Sequence, residues 1–211
     1  MNLLTGEYDK FKRIERQKNN GQILRKVAYR LAYLMHTQKI REINKDRAIK
    51  ILSNEFGSRY DNHLIESIID DLIDPCNIMI VDRYSSTLSF GHFRFQEHLA
   101  AKELTQNRGV EIAELTRSDW WRGTLCLYAQ DTDIEFLINE VYLKYNSIIQ
   151  SEITLMEMAK NTPHHRRLLI EDMIAKTIKM DLFDVAIDGA FDSSSYDENY
   201  AYDDHLDYNY Y

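Results

Sequence analysis

Apolar residues along the first third of the chain recur at helical intervals. After Asn19-Asn20-Gly21, the run Ile23, Leu24, Val27, Ala28, Leu31, Leu34 and Met35 repeats at three and four, with Arg25, Lys26 and Arg30 interleaved. That spacing predicts an amphipathic helix. Before it, Leu3, Leu4, Tyr8, Phe11 and Ile14 sit at roughly helical spacing in an otherwise polar stretch, which predicts a lead-in helix over 1–20. Asn44 reads as an N-cap with Asp46 in the first turn, and Ile49, Leu52 and Phe56 form one stripe before Gly57 ends a second helix. Asp61 caps a third, in which Leu64, Ile65, Ile68, Ile69, Leu72 and Ile73 face a core until Pro75 stops it.

The period then changes. Residues 77–82 (NIMIVD) are short and rich in Ile and Val, 83–86 form a polar turn, and 87–92 (TLSFGH) alternate with Leu88, Phe90 and His92 on one side. Together they predict a β-hairpin. Helices followed by such a hairpin follow the order of a winged-helix domain, the hairpin being the wing.

From Phe93 the helical period returns with Phe95, Leu99, Ala100 and Leu104. Further helices are predicted over Val110–Leu115, Asp119–Ala129, Thr132–Tyr145, Ile148–Ala159 and Pro163–Phe183, the last with Thr162 as cap and Pro163 in the first turn. Past Asp192 the segment SSSYDENYAYDDHLDYNYY has too little aliphatic content to fold alone. The expected fold is therefore mainly α. It divides into a lead-in helix (1–20), a winged-helix domain with a short hairpin (21–92), an α-helical bundle (93–191) and a disordered acidic, Tyr-rich tail (192–211).

Composition narrows the function classes. Of 211 residues, 44% are hydrophobic and 28% charged, while 7 Gly and 2 Pro supply few turns for an all-β fold. The net charge of −8 is concentrated in the last twenty residues, which hold six acids, six Tyr and no Lys or Arg. The remaining body is close to neutral, so it lacks the footprint of a protein that coats nucleic acid or an anionic membrane. Cys76 and Cys126 lie fifty residues apart without a CxxC, which supports neither a disulfide framework nor a structural zinc site. The first seventeen residues reach charge too soon for a signal peptide, and no window approaches a membrane span. The expected setting is cytoplasmic, with no membrane partner.

Catalytic motifs are absent from these 211 residues. Neither GxxxxGKS/T nor GxGxxG occurs, nor do HExxH, GxSxG or ExxH. Glu97 beside His98 has the wrong spacing for a shared helical face and reads as a solvated Glu and an ordinary His. His164-His165-Arg166-Arg167 reads as a solvent-facing basic cluster, with phosphate binding as the sharper alternative. Trp120 and Trp121 could form a stacking platform, although one indole in a core and one at its rim is the commoner arrangement. A winged helix raises DNA binding, but its third helix carries Asp61, Glu66, Asp70, Asp71 and Asp74 and no Lys or Arg, so it would repel phosphates; only Arg59 and Arg83 flank it. A DNA-binding regulator is the first alternative. A carboxylate-dependent nuclease is a weaker second, because the acidic tail offers no scaffold for metal ligands.

The segment Phe90-Gly91-His92-Phe93-Arg94-Phe95-Gln96-Glu97-His98-Leu99-Ala100-Ala101 resembles the F-x-H-x-x-F-Q-E-Y/F-L-A-A signature of NACHT-family STAND NTPases, found where their winged-helix region passes into the following helical domain. Only His98, in the aromatic slot, departs from it. Trp120-Trp121-Arg122 with Leu125 to Ala129 is similar to a W-R-x-x-L-x-L-x-A element downstream, and the likeness spans roughly 21–130. Phe90, Phe95, Leu99 and Ala100 can pin strand to helix, and small Ala100 and Ala101 permit close helix approach.

The resemblance implies a role for His92: in NACHT proteins the matching histidine reaches into the ADP site of the neighbouring NTPase domain, contacts phosphate and helps hold the closed state. It implies a NACHT NTPase domain as partner, in cis or in trans, with ADP or ATP bound there and no cofactor bound by this chain alone. It further implies a non-enzymatic, regulatory part in a switch that oligomerises when activated; the acidic third helix adds the expectation of no nucleic acid ligand. In bacteria such proteins are associated with antiphage defence. The acidic tail has a sharper alternative too, as an autoinhibitory strap on a basic surface such as Arg166-Arg167.

Overall fold

The computed structural model describes residues 18–107 and 109–192. The lead-in helix, apart from residues 18–20, and the tail beyond Asp192 lie outside the described residues.

Helix α1 (Gly21–Thr37) starts at Asn20, whose side chain accepts the Gln22 N–H, and buries Leu24, Val27, Leu31 and Met35. A short strand, β1 (Ile43–Asn44), leads into α2 (Lys45–Phe56), where the Asn44 side chain accepts the Arg47 N–H. A turn of 3-10 helix (Gly57–Arg59) leads to α3 (Asn62–Ile73), capped by Asp61 through the Leu64 N–H. Caps of this kind contribute about 1 kcal/mol each. The hairpin follows as β2 (Ile80–Val81) and β3 (Thr87–Ser89), both shorter than the hydrophobic pattern predicts.

The sheet has three strands in the order β1-β3-β2, all antiparallel, with Leu88 opposite both Ile43 and Val81. Strand β1 went unpredicted because two residues carry no period. Leu88 and Phe90 enter one core with Leu24, Leu31, Leu52, Ile65 and Ile69. This is the helix-and-wing arrangement of a winged-helix domain followed by a bundle.

Helix α4 (Phe93–Gln106) serves two cores. Phe95 and Leu99 pack on the first, whereas Ala101 and Leu104 belong to a second built from α5 (Ile112–Leu115), α6 (Asp119–Asp131), α7 (Glu135–Tyr145), α8 (Glu152–Asn161) and α9 (His164–Asp192). A turn of 3-10 helix (Ile149–Ser151) precedes α8. Thr162 does not cap α9: its hydroxyl donates to the Ala159 carbonyl at 2.7 Å and closes α8, while Pro163 accepts the Arg166 N–H at 2.9 Å.

The structure changes the reading of the charges on α3 and in the basic cluster. Asp71 is buried and does not face outward; its Oδ2 accepts the Lys18 and Asn19 N–H groups at 2.9 and 2.7 Å and the Asn19 side-chain amide at 2.8 Å. Lys45 pairs with Glu66 and Asp70 and offsets part of the acidic face of α3. In the basic cluster, Arg166 pairs with Asp133 and Glu135, and Arg167 with Glu171, so both guanidinium groups are engaged within the bundle.

Candidate functional site

The junction between β3 and α4 is assembled from backbone geometry upward. Phe90 plugs the first core at 3% exposure. The next residue, Gly91, has φ of +74°, a conformation that favours glycine; a Cβ there would lie 2.7 Å from Ile80 Cδ1, the movable end of an exposed side chain. The chain thereby turns off the wing, and His92 becomes the N-cap of α4 in place of a strand residue. Its backbone is extended (φ −105°, ψ 133°) and its carbonyl accepts the Phe95 N–H at 2.8 Å.

The His92 ring also has a defined orientation. Nδ1 accepts the Arg94 N–H at 3.0 Å, the bond a Ser or Asp cap would usually supply. An accepting Nδ1 places the proton of the neutral ring on Nε2. His92 is exposed, so this N–H faces outward at the positive end of a fourteen-residue helix. A cleft of about 190 Å³ opens beside it, lined by Arg41, Glu42, Ser89, Phe90, His92 and Phe93 among others.

The rest of the signature holds this cap in place. Gln96, 1% exposed, donates its side-chain amide to the Ile40 carbonyl at 3.0 Å and ties α4 to the loop after α1. Glu97 is not the solvated residue its spacing suggests: it is 7% exposed and its Oε2 accepts from Arg94 Nη1 at 3.0 Å. The reason lies on another helix. Gly123 of α6 leaves room for this carboxylate, since a Cβ there would overlap Glu97 Oε1, and the Gly123 carbonyl accepts from Arg94 at 3.3 Å. Ala100 and Ala101 are buried where α4 threads between α1 and α6. His98 is partly buried, and that burial lowers its pKa.

Residues 4–104 match the family described as the winged helix-turn-helix domain C-terminal to NACHT. Over these residues the chain is similar to a NACHT-associated winged-helix domain. No curated protein and no solved structure matches the chain. The matched residues take in the signature and nearly all of α4.

A residue that sequence reasoning passed over stands at the seam between the winged-helix part and the bundle. His36, at the end of α1, is completely buried. Trp120 stacks on it at 5.0 Å between centroids, Phe93 at 5.7 Å, and Trp121 meets it edge-on at 4.4 Å. Its Nε2 lies 3.1 Å from Thr124 Oγ1, and its carbonyl accepts the Trp120 indole N–H at 2.8 Å. Burial pushes its pKa down to about 4, so it is neutral at pH 7. The tryptophan pair is therefore one buried indole and one at the rim, as its spacing predicts, and both serve to join the two cores. Cys76 and Cys126 are buried packing residues.

Among the described residues no group of His, Cys, Asp and Glu is placed to hold a metal ion. No described helix is long and apolar enough to cross a membrane.

Proposed function

We propose that this chain is the regulatory lever of a NACHT-type STAND NTPase, supplying the winged-helix and C-terminal sensor portion to an NTPase domain present in cis or in trans. ADP and ATP bind that NTPase domain, and His92 reaches its nucleotide from the side. The resting assembly is closed on ADP. Exchange for ATP swings the lever away and lets copies oligomerise, in a cytoplasmic defence response of the antiphage kind.

The observation that carries this reading is the orientation of His92. A histidine that caps its own helix with Nδ1 cannot turn freely, so its Nε2–H is presented outward beside a helix N-terminus, where an anionic group is favoured. The remaining signature residues are spent on fixing that cap to both cores, which suits a lever whose tip must keep its place as it moves as a unit. Nucleic acid is not the partner in this account, because among the described residues the exposed carboxylates Glu66 and Asp70 of α3 pair with Lys45 alone. Salt-dependent binding of duplex DNA would overturn that statement.

Testing the reading requires the NTPase. With the partner domain present, His92→Ala should loosen ADP retention and raise spontaneous activation. Unaltered ADP retention in that variant would leave His92 with packing and capping alone.

A further inference from the structure

The cleft beside His92 also holds a cation, and its position is unusual for a surface arginine. Arg41 lies in the loop between α1 and β1 and is exposed, yet its guanidinium carbon sits 4.2 Å from the centroid of the Phe93 ring and 5.9 Å from that of Trp120. No carboxylate among the described residues forms an ion pair with it. Glu42, its neighbour, accepts instead from Thr87 Oγ1 at 2.9 Å. Stacking uses the face of a guanidinium and leaves its edge, with the N–H donors in a rigid fork, open to an acceptor. The side chain is thus held in place without being neutralised, on the rim of the same cleft that His92 lines.

We propose that Arg41 and His92 form a two-point clamp for the phosphates of a nucleoside diphosphate, with Arg41 supplying the charge and His92 a directed N–H. This rests on the reading of His92 given above and extends it to a residue outside the signature. Two contacts at separate points favour a diphosphate group over a single phosphate. Because Arg41 lies over Phe93, the residue after the cap, and reaches Trp120 of α6, the clamp is set at the junction of α4 and α6. Glu42 also lines the cleft and opposes an anion, so its neutralisation should tighten binding.

The test uses the whole 211-residue chain with pyrophosphate as the probe, sodium chloride balancing ionic strength, and side-chain NMR signals of histidine and arginine as the readout. Pyrophosphate should move the His92 ring and Arg41 guanidinium signals along one binding curve, and inorganic phosphate should bind more weakly. Arg41→Gln should raise the Kd about tenfold or more, the loss expected for a charge-assisted contact. Arg41→Lys, which keeps charge but loses the stacked fork, should recover only part of it, and Glu42→Gln should lower the Kd. Movement of His92 with an unaffected Arg41 and normal binding by Arg41→Gln would overturn the clamp and leave the reading of His92 standing. No movement of either signal would likewise overturn the clamp, while the reading of His92 is decided separately by ADP retention in the assembly with the NTPase.

Discussion

Gly123→Ala makes the sharpest use of the packing between α4 and α6. At an exposed helix position the change from Gly to Ala stabilises by up to about 1 kcal/mol, through backbone entropy and propensity. Here the added methyl would overlap Glu97 Oε1 and lie 2.9 Å from both Glu97 Cδ and Arg94 Nη1. Glu97 is 7% exposed, so relieving the overlap means turning its carboxylate out of its buried position and away from Arg94. Overpacking of this kind costs about 1–3 kcal/mol. Displacing a buried carboxylate from Arg94 adds to that, discounted because the Arg94 side chain is 50% exposed. The net expectation is a loss of about 2 kcal/mol, opposite in sign to the propensity effect. Urea unfolding of the full chain, followed by far-ultraviolet circular dichroism and tryptophan emission, measures it. Glu97→Ala should remove most of the penalty, so that the double variant is non-additive by about 1–2 kcal/mol. A Gly123→Ala chain more stable than the parent would refute the reasoning.

Other consequences are equally concrete. His36 titrates near 6.5 when unfolded and at about 4 in the fold, so the unfolded chain binds the proton first and stability falls as pH drops from about 6.5 towards 4. At roughly 1.4 kcal/mol per pH unit the full loss is about 3 kcal/mol, and His36→Gln should flatten that limb of a stability-against-pH curve; an unchanged limb would show that His36 does not drive it. Asp71→Ala strands the Lys18 and Asn19 N–H groups and should cost about 2 kcal/mol, with faster proteolysis at residues 18–20 as its local signature. Equal cleavage in both chains would deny Asp71 that anchoring role.

Features encoded locally were legible in the sequence, and those made by one helix meeting another were not. Asn44 and Asp61 read as caps because a short polar side chain before an apolar stripe has one economical use, and both make that bond. The hairpin was visible in its β-branched run, but β1 was not, since Ile43 and Asn44 become a strand only by pairing with Leu88 and Thr87. Glu97 looked outward because its neighbours in sequence gave no reason for burial; the reason is Gly123, on the other side of the α4–α6 contact. His36 drew no notice in the sequence, because Trp120, Trp121 and Phe93 close around it only in the fold. For the site, the motif located His92, whereas the cap through Nδ1 that orients it needed coordinates.

That cap also permits the most direct test of the lever. His92→Asn keeps a favourable N-cap acceptor for the Arg94 N–H while removing the outward Nε2–H, which separates support of the helix from contact with a nucleotide. The measurement is the release rate of a fluorescent ADP from the assembly of this chain with its NTPase domain. The account predicts release at least several-fold faster from the Asn variant, with urea midpoint and helix content unchanged. Parental release from an equally stable variant would contradict it.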